Sequence, residues 1–223
     1  MSDAMELLAR HHGEADTFVN VMKESASNRF DEAFWQLWQQ WIQPTLVDNV
    51  TVCDFGCGPA TFLKQFHAQQ PQAKLIGVEC MSYMIAEIDT DICEVIEHDL
   101  NQPNFPLADN SLDVFISTYV LHEMVQPIYA LQAMYNSLKS GQRGLIMDWV
   151  RAPLETYLQT QETDIISNDV TQDDLVDTFN HFVEHNRYSI EDMRWLLEQV
   201  GFTVLEQQLK DNPNFAHWIV QKP

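Results

Sequence analysis

The stretch CDFGCGPATF, residues 53–62, sets two cysteines and two glycines between an apolar run and the start of a helical pattern. Three kinds of chemistry use such a segment: thiolate ligation of a metal, a backbone cradle for phosphate, and a loop that brings another small molecule close to main chain. Cys53 and Cys57 are spaced Cys-x3-Cys, and Cys80 and Cys93 form no second knuckle, so a structural zinc site lacks its partner pair. No G-x-x-x-x-G-K-[ST] run is present, and a dinucleotide fingerprint would need a glycine where Thr61 stands. What remains is Asp54-Phe55-Gly56-Cys57-Gly58-Pro59-Ala60, in which Gly56 and Gly58 allow a sharp turn and close approach to a ligand. Asp54 suits a cationic ligand and disfavours a pyrophosphate. Glu79, closing LIGVE, is placed to accept hydrogen bonds from two ribose hydroxyls.

Other residues compete for a role, each with a plainer reading. His122 and Glu123 in STYVLHEM follow a strand-like run; the imidazole reads either as a general base titrating near working pH or as a structural histidine, with Glu123 orienting it or holding a cation. Asp148, after the next apolar strand, is a third titratable candidate. His181 to His185 reads H-x-x-E-H, but in an acidic insertion without a third ligand this points to an exposed helix face rather than a zinc peptidase. Trp35, Trp38 and Trp41 recur every three residues, a packing stripe ahead of an aromatic wall for substrate. Arg29 reads as a solvated surface arginine before a partner for a ligand carboxylate. Cys57 reads as a packing residue, not a nucleophile.

The elements that must position these residues alternate. A helical appendage, residues 1–44 with apolar spacing over 15–42, ends at Pro44; strand-like and helical runs then follow in turn from NVTVCDF to GLIMDWV, with a helix over 127–138 and LKSGQRG as a turn. Such alternation predicts a parallel sheet with helices on both faces. Ser189 and Asp192 form a capping box for IEDMRWLLEQV, Gly201 supplies its C-cap, and TVLEQQL and AHWIVQK make an antiparallel hairpin. The expected fold is α/β, a doubly wound seven-stranded sheet, mostly parallel, with one antiparallel strand near the edge. Residues 45–223 form the main domain, and 151–188 an insertion or lid.

Composition narrows the partners. Twelve Lys and Arg against 33 Asp and Glu leave a formal net charge of -21, which repels nucleic acid and anionic membrane surfaces. No apolar run approaches the roughly 20 residues of a membrane span, and the N-terminus has no export pattern, so a cytoplasmic protein with free thiols is expected. A homodimer is compatible with the sequence; nothing in it demands one.

Five segments in order, VCDFGCGPATF, GVECMSYMI, EHDLNQPNFPLADNSLDVFIST, LKSGQRGLIMDW and YSIEDMRWLLEQVGF, resemble the motifs of class I S-adenosylmethionine-dependent methyltransferases. The resemblance is to the small-molecule type that includes the ubiquinone and menaquinone C-methyltransferases, and it runs from about residue 50 to 201, with Ala60 where that family's last loop glycine stands. It implies a Rossmann-like methyltransferase fold, S-adenosylmethionine as cofactor and a small-molecule acceptor methylated on oxygen, nitrogen or carbon. By the same resemblance the backbone of Gly56, Cys57 and Gly58 approaches the methionine moiety and Asp54 takes its amino group. Glu79 holds the ribose, Cys80 and Met81 pack on the adenine, Asp99 accepts from the adenine amino group beside Leu100, and Ser117 lines the methyl-donor pocket. His122 and Glu123 are the catalytic candidates, and no metal is called for. A methyltransferase-like binding module without activity is the alternative from another class, and an NAD-linked oxidoreductase, disfavoured by the missing glycine, a further one.

Overall fold

The computed structural model describes residues 14–160, 171–185 and 187–223. Helices α1 (Ala15–Glu24), α2 (Ala26–Arg29) and α3 (Glu32–Trp41) precede β1 (Thr51–Phe55). Next come α4 (Thr61–Gln69), β2 (Lys74–Glu79), α5 (Ser82–Ile85), β3 (Glu94–Glu97) and β4 (Leu112–Thr118). They are followed by α6 (Ile128–Ser137), β5 (Leu138–Trp149), α7 (Leu154–Thr160), α8 (Gln172–His185), α9 (Ile190–Val200), β6 (Thr203–Leu209) and β7 (Phe215–Gln221). The seven strands form one sheet in the order β3-β2-β1-β4-β5-β7-β6. Only β7 runs against its neighbours, pairing antiparallel with β5 and β6. This is the expected doubly wound sheet with its antiparallel strand one place in from the edge.

Strand alternation feeds two cores. Cys53, Phe55, Phe115, Ile146 and Trp218 face α6 and α9, meeting Leu131, Met134, Met193 and Leu197. Val52, Val114, Ile116, Leu145 and Met147 face the other way, onto Phe34, Trp38, Phe62 and Phe66 of α3 and α4. Because helices cover both faces, LDVFIST of β4 is buried along its whole length. The capping box of Ser189 and Asp192 is present, and Gly201 closes α9 in the left-handed region.

The helical appendage over residues 15–42 falls into three helices: the Asp31 carboxylate accepts the Phe34 N–H at 2.8 Å and starts α3 afresh. One local expectation changes. LKSGQRG is not a free turn but the first half of β5. Gly141, with φ of +80°, donates its N–H to the Lys222 carbonyl at 2.7 Å, and Lys222 donates to the Gln142 carbonyl at 3.1 Å. The end of β7 thus captures the segment as strand, with a register shift against β4 near Leu112.

The tryptophan stripe belongs to the core. Trp38 is 1% exposed, with its ring centroid 5.4 Å from that of Phe62 and 5.5 Å from that of Phe66, and Trp35 stacks on Phe62. The segment therefore divides its labour: α3 packs on the sheet, whereas α1 sits over the β2–α5 turn through Val19, Met81 and Met84.

Candidate active site

A cavity of about 550 Å³ opens at the carboxyl ends of β1, β2 and β4, where the strand order reverses between β1 and β4. Asp54, residues 56–58 and 79–81 form one wall, residues 98–101 a second, and 118–120 and 122–124 with Trp149 and Phe215 a third. Phe18, Met22, Arg29 and Phe30 from α1, α2 and the turn after them cover it, and His181 of α8 reaches it from the insertion.

The glycine loop is shaped for close approach. Gly56 has φ of +78°, and a Cβ there would lie 2.1 Å from Val120 Cγ2; Gly58 has φ of +52°, and a Cβ would meet nothing within 4 Å, so its main chain faces open space. Gly58 N–H donates to Glu79 Oε2 at 3.0 Å, while Cys80 and Met81 N–H donate to Oε1 at 2.8 and 2.9 Å. Glu79 thus ties the loop after β1 to the turn after β2. Burial pushes its carboxyl pKa up, and these three backbone bonds oppose the shift. Cys57 is a buried thiol whose pKa is raised well above the ordinary value, by burial first and by Asp54 next, and it packs where a Cβ on Gly77 would stand 2.7 Å from its sulfur. That is a packing role.

Ala60 has φ of +56°, the left-handed conformation that explains why a glycine is expected there. Its methyl is fully buried in the core with Phe62 and Leu63 rather than lining the cavity. It does not narrow the site.

Asp54 sits at 3% exposure on β1, and its Oδ1 has no hydrogen-bond partner among the described residues. Burial raises its pKa to about 7, with Arg29 pulling down and Glu79 pushing up. Arg29 is not the solvated surface residue its sequence context implies. It lines the cavity half-buried, donates Nη2 to the Met22 carbonyl at 2.5 Å, lies 5.8 Å from the Tyr119 ring centroid, and leaves a buried Nε without a hydrogen-bond partner among the described residues.

Cys80, Met81, Asp99 and Leu100 all line the cavity. Asp99 accepts from the Asn101 N–H at 2.9 Å, an arrangement that holds the turn after β3. Ser117 is a correction: fully buried, it donates its hydroxyl to the Phe55 carbonyl at 3.1 Å and faces the sheet interior. The wall at the end of β4 is made instead by Thr118, Tyr119 and Val120.

His122 and Glu123 both line the cavity, but the histidine is not poised as a base. Its Nδ1 is 2.6 Å from Asp148 Oδ1 and its Nε2 3.3 Å from Glu123 Oε1. Burial alone would lower its pKa; the Asp148 and Glu123 carboxylates outweigh that and raise it to about 9, so the ring carries a proton at neutral pH. Asp148, 1% exposed, also accepts the Val120 and Leu121 N–H groups at 3.1 and 2.6 Å, stapling the turn after β4 to the end of β5. His181 contacts the Tyr157 hydroxyl and joins the cavity wall; the Glu184 and His185 side chains lie outside those described. Tyr119, Trp149, Phe215 and the residues of α1 were not singled out as cavity walls by sequence reasoning. The available signal was positional: Tyr119 and Trp149 stand at carboxyl ends of strands.

The methyltransferase-domain family matches residues 26–207. No curated protein matches. Among solved structures, the protein bound to the Trm112 methyltransferase activator of Haloferax volcanii superposes with a TM-score of 0.68 at 15% identity, covering 94% of this chain and 98% of its own. A SAM-dependent methyltransferase from Aquifex aeolicus gives 0.65 at 15% identity over 95% and 100%. The [4+2]-cyclase SpnF gives 0.62 at 14% identity over 84% and 80%, so the fold likeness does not by itself specify a reaction. The family match spans the glycine loop, Glu79, Asp99 and the stapled turn together, and this chain belongs to the methyltransferase-domain family, with the class I S-adenosylmethionine-dependent fold.

Proposed function

We propose that the protein transfers a methyl group from S-adenosylmethionine to an oxygen, nitrogen or carbon atom of a small-molecule acceptor. One observation carries the cofactor assignment: Asp54 and Arg29, each with a buried polar atom that has no hydrogen-bond partner among the described residues, line the same cavity. Buried polar groups are almost always satisfied, and an amino-acid zwitterion offers an ammonium for the first and a carboxylate for the second.

In this reading the open main chain of Gly58 lies along the methionine moiety. Glu79 borders the ribose while its backbone bonds hold the loop in place. Asp99 and Leu100 border the adenine. When bound, the donor supplies a sulfonium methyl that is already electrophilic. The chain's own contribution is alignment and exclusion of water, for which α1 and α2 form the cover. His122 holds its proton and positions Glu123, which faces the acceptor side.

Isothermal titration with S-adenosylmethionine and S-adenosylhomocysteine tests this directly. Both are expected to bind with one site per chain, and Glu79→Ala to weaken each by about 1–3 kcal/mol. Absence of heat from either ligand overturns the reading.

A further inference from the structure

Three half-buried aromatic side chains, Tyr119, Trp149 and Phe215, make a corner in the third wall of the cavity. Tyr119 and Phe215 meet edge to face at 5.3 Å between centroids, and Trp149 lies 4.5 Å from Phe215. The sheet fixes their places: Trp149 and Phe215 are paired residues of β5 and β7, and the Tyr119 N–H donates to the Met147 carbonyl at 2.9 Å. Tyr119 has φ of +58°, a backbone that bulky residues adopt only under constraint. Rings held in this way make offset-stacked and edge-on contacts with a further flat ring.

The titratable groups around this corner are protonated or engaged. His122 has its Nδ1 2.6 Å from Asp148 and its Nε2 3.3 Å from Glu123; burial alone would lower its pKa, but the two carboxylates raise it to about 9. Neither ring nitrogen is left to take a proton, and Glu123 is committed to the imidazolium. Burial pushes the Tyr119 hydroxyl up to about 12, and His181 contacts the Tyr157 hydroxyl. An acceptor placed here must therefore arrive with its lone pair already available. Aliphatic amines titrate near about 10.4 and phenols near about 10, so at neutral pH the first are ammonium ions and the second keep their proton. A carboxylate needs no base, but aromatic faces are negative and the chain's net charge of -21 repels it. A ring nitrogen of the imidazole kind titrates near about 6.5, so its lone pair is free at neutral pH, and its ring is flat.

We infer that the acceptor is a neutral nitrogen heteroaromatic, packed against Tyr119, Trp149 and Phe215 and methylated on its ring nitrogen; this rests on the methyl-transfer reading and deepens it. The in-plane lone pair of that nitrogen forms the new N–C bond, the C–S bond breaks with its pair retained by sulfur, and the positive charge passes from the sulfonium to the ring. No proton is lost at any point. Aromatic side chains attract a cation more strongly than a neutral ring, so the wall favours the charge as it grows along the reaction.

The test uses compounds of one two-ring outline: quinoline, isoquinoline, the saturated decahydroquinoline, 2-naphthol and 2-naphthoate. On protein saturated with S-adenosylhomocysteine, quinoline or isoquinoline is expected to bind about tenfold or more tighter than decahydroquinoline and 2-naphthoate. With S-adenosylmethionine the same compound should become its N-methyl cation, read by mass, while 2-naphthol stays unmethylated. Trp149→Leu and Tyr119→Leu should each weaken its binding about tenfold, while S-adenosylhomocysteine affinity stays within about twofold and so reports a folded site. Equal binding of the saturated ring, affinity that survives both substitutions, a bound heteroaromatic that is not methylated, or transfer to 2-naphthol overturns the proposal. If S-adenosylhomocysteine itself does not bind, the methyl-transfer reading falls, and the same compounds titrated on the cofactor-free protein decide the heteroaromatic site separately.

Discussion

Asp54 is a buried acid with an oxygen that has no hydrogen-bond partner among the described residues, and its pKa is raised to about 7, chiefly by burial. Without ligand, the folded chain therefore holds a proton between about pH 4 and 7 that the unfolded chain has released, and this group's contribution to stability falls as pH rises through that window. Binding of an ammonium group requires the carboxylate. Cofactor affinity should accordingly rise with pH up to about 7, by no more than tenfold per unit for one proton, and level off above. Titration calorimetry across this range checks it, and Asp54→Asn should flatten the profile while weakening binding by at least about tenfold. Ala60 makes a contrasting case. Replacement by glycine relieves about 1–2 kcal/mol of left-handed strain and loses about 0.8 kcal/mol of buried methyl, so stability should move by no more than about 1 kcal/mol, upward. Cofactor affinity should stay unchanged, because the methyl lies in the core. A several-fold gain in affinity on Ala60→Gly would show that the loop, and not just the core, feels that residue.

At the scale of elements, two pieces of the N-terminal segment have opposite duties. Trp38 on α3 is buried among Phe34, Phe62 and Phe66, and Trp38→Ala should cost about 3–5 kcal/mol in urea unfolding. Helix α1 rests on a satellite cluster of Val19, Met81 and Met84 and on a half-exposed Lys23–Glu87 pair at 2.5 Å, contacts of modest strength. Its amides should exchange with deuterium faster than those of α3 and slow when S-adenosylhomocysteine binds. Equal protection in both helices without ligand would remove the case for α1 as a moving cover. The turn after β4 depends on β5 through Asp148. Asp148→Asn retains one acceptor oxygen and turns an amide NH2 toward N–H donors, which should cost about 1–3 kcal/mol. It also takes away the main cause of the raised His122 pKa. In the wild type that histidine's stabilising contribution is complete below about pH 6.5 and is lost as pH rises through about 9; in the variant this alkaline loss should largely disappear from unfolding curves.

The whole molecule brings these parts together by winding. Consecutive strands β1, β2 and β3 run outward in one direction, and β4 returns to the other side of β1, so the crevice between β1 and β4 is a product of topology. Ligand binding there should stabilise the whole chain: saturation at 100 times Kd adds about 2.7 kcal/mol, read as a rise in Tm with S-adenosylhomocysteine. Much of this was legible from local patterns. The glycine loop, Glu79 at a strand end, the capping box of Ser189 and Asp192 and the alternation of strands with helices depend on residues a few positions apart, and the physics of turns, caps and periodicity is likewise local. Arg29, Tyr119, Trp149 and Phe215 reach one cavity from positions spread over most of the chain, and no short-range rule relates them. The same reason accounts for the corrections. Whether Ser117 faces the crevice or the sheet interior, and whether His122 titrates near neutrality or holds its proton, depends on Phe55 and Asp148, which pairing of distant strands brings alongside. The sequence by itself determined the fold class, the loop and the acids that suit a methyl donor, because each is encoded within one turn or one strand. Only the tertiary structure decided which side chains line the cavity and in what charge state, because burial and neighbouring charge exist only once the sheet has closed around them.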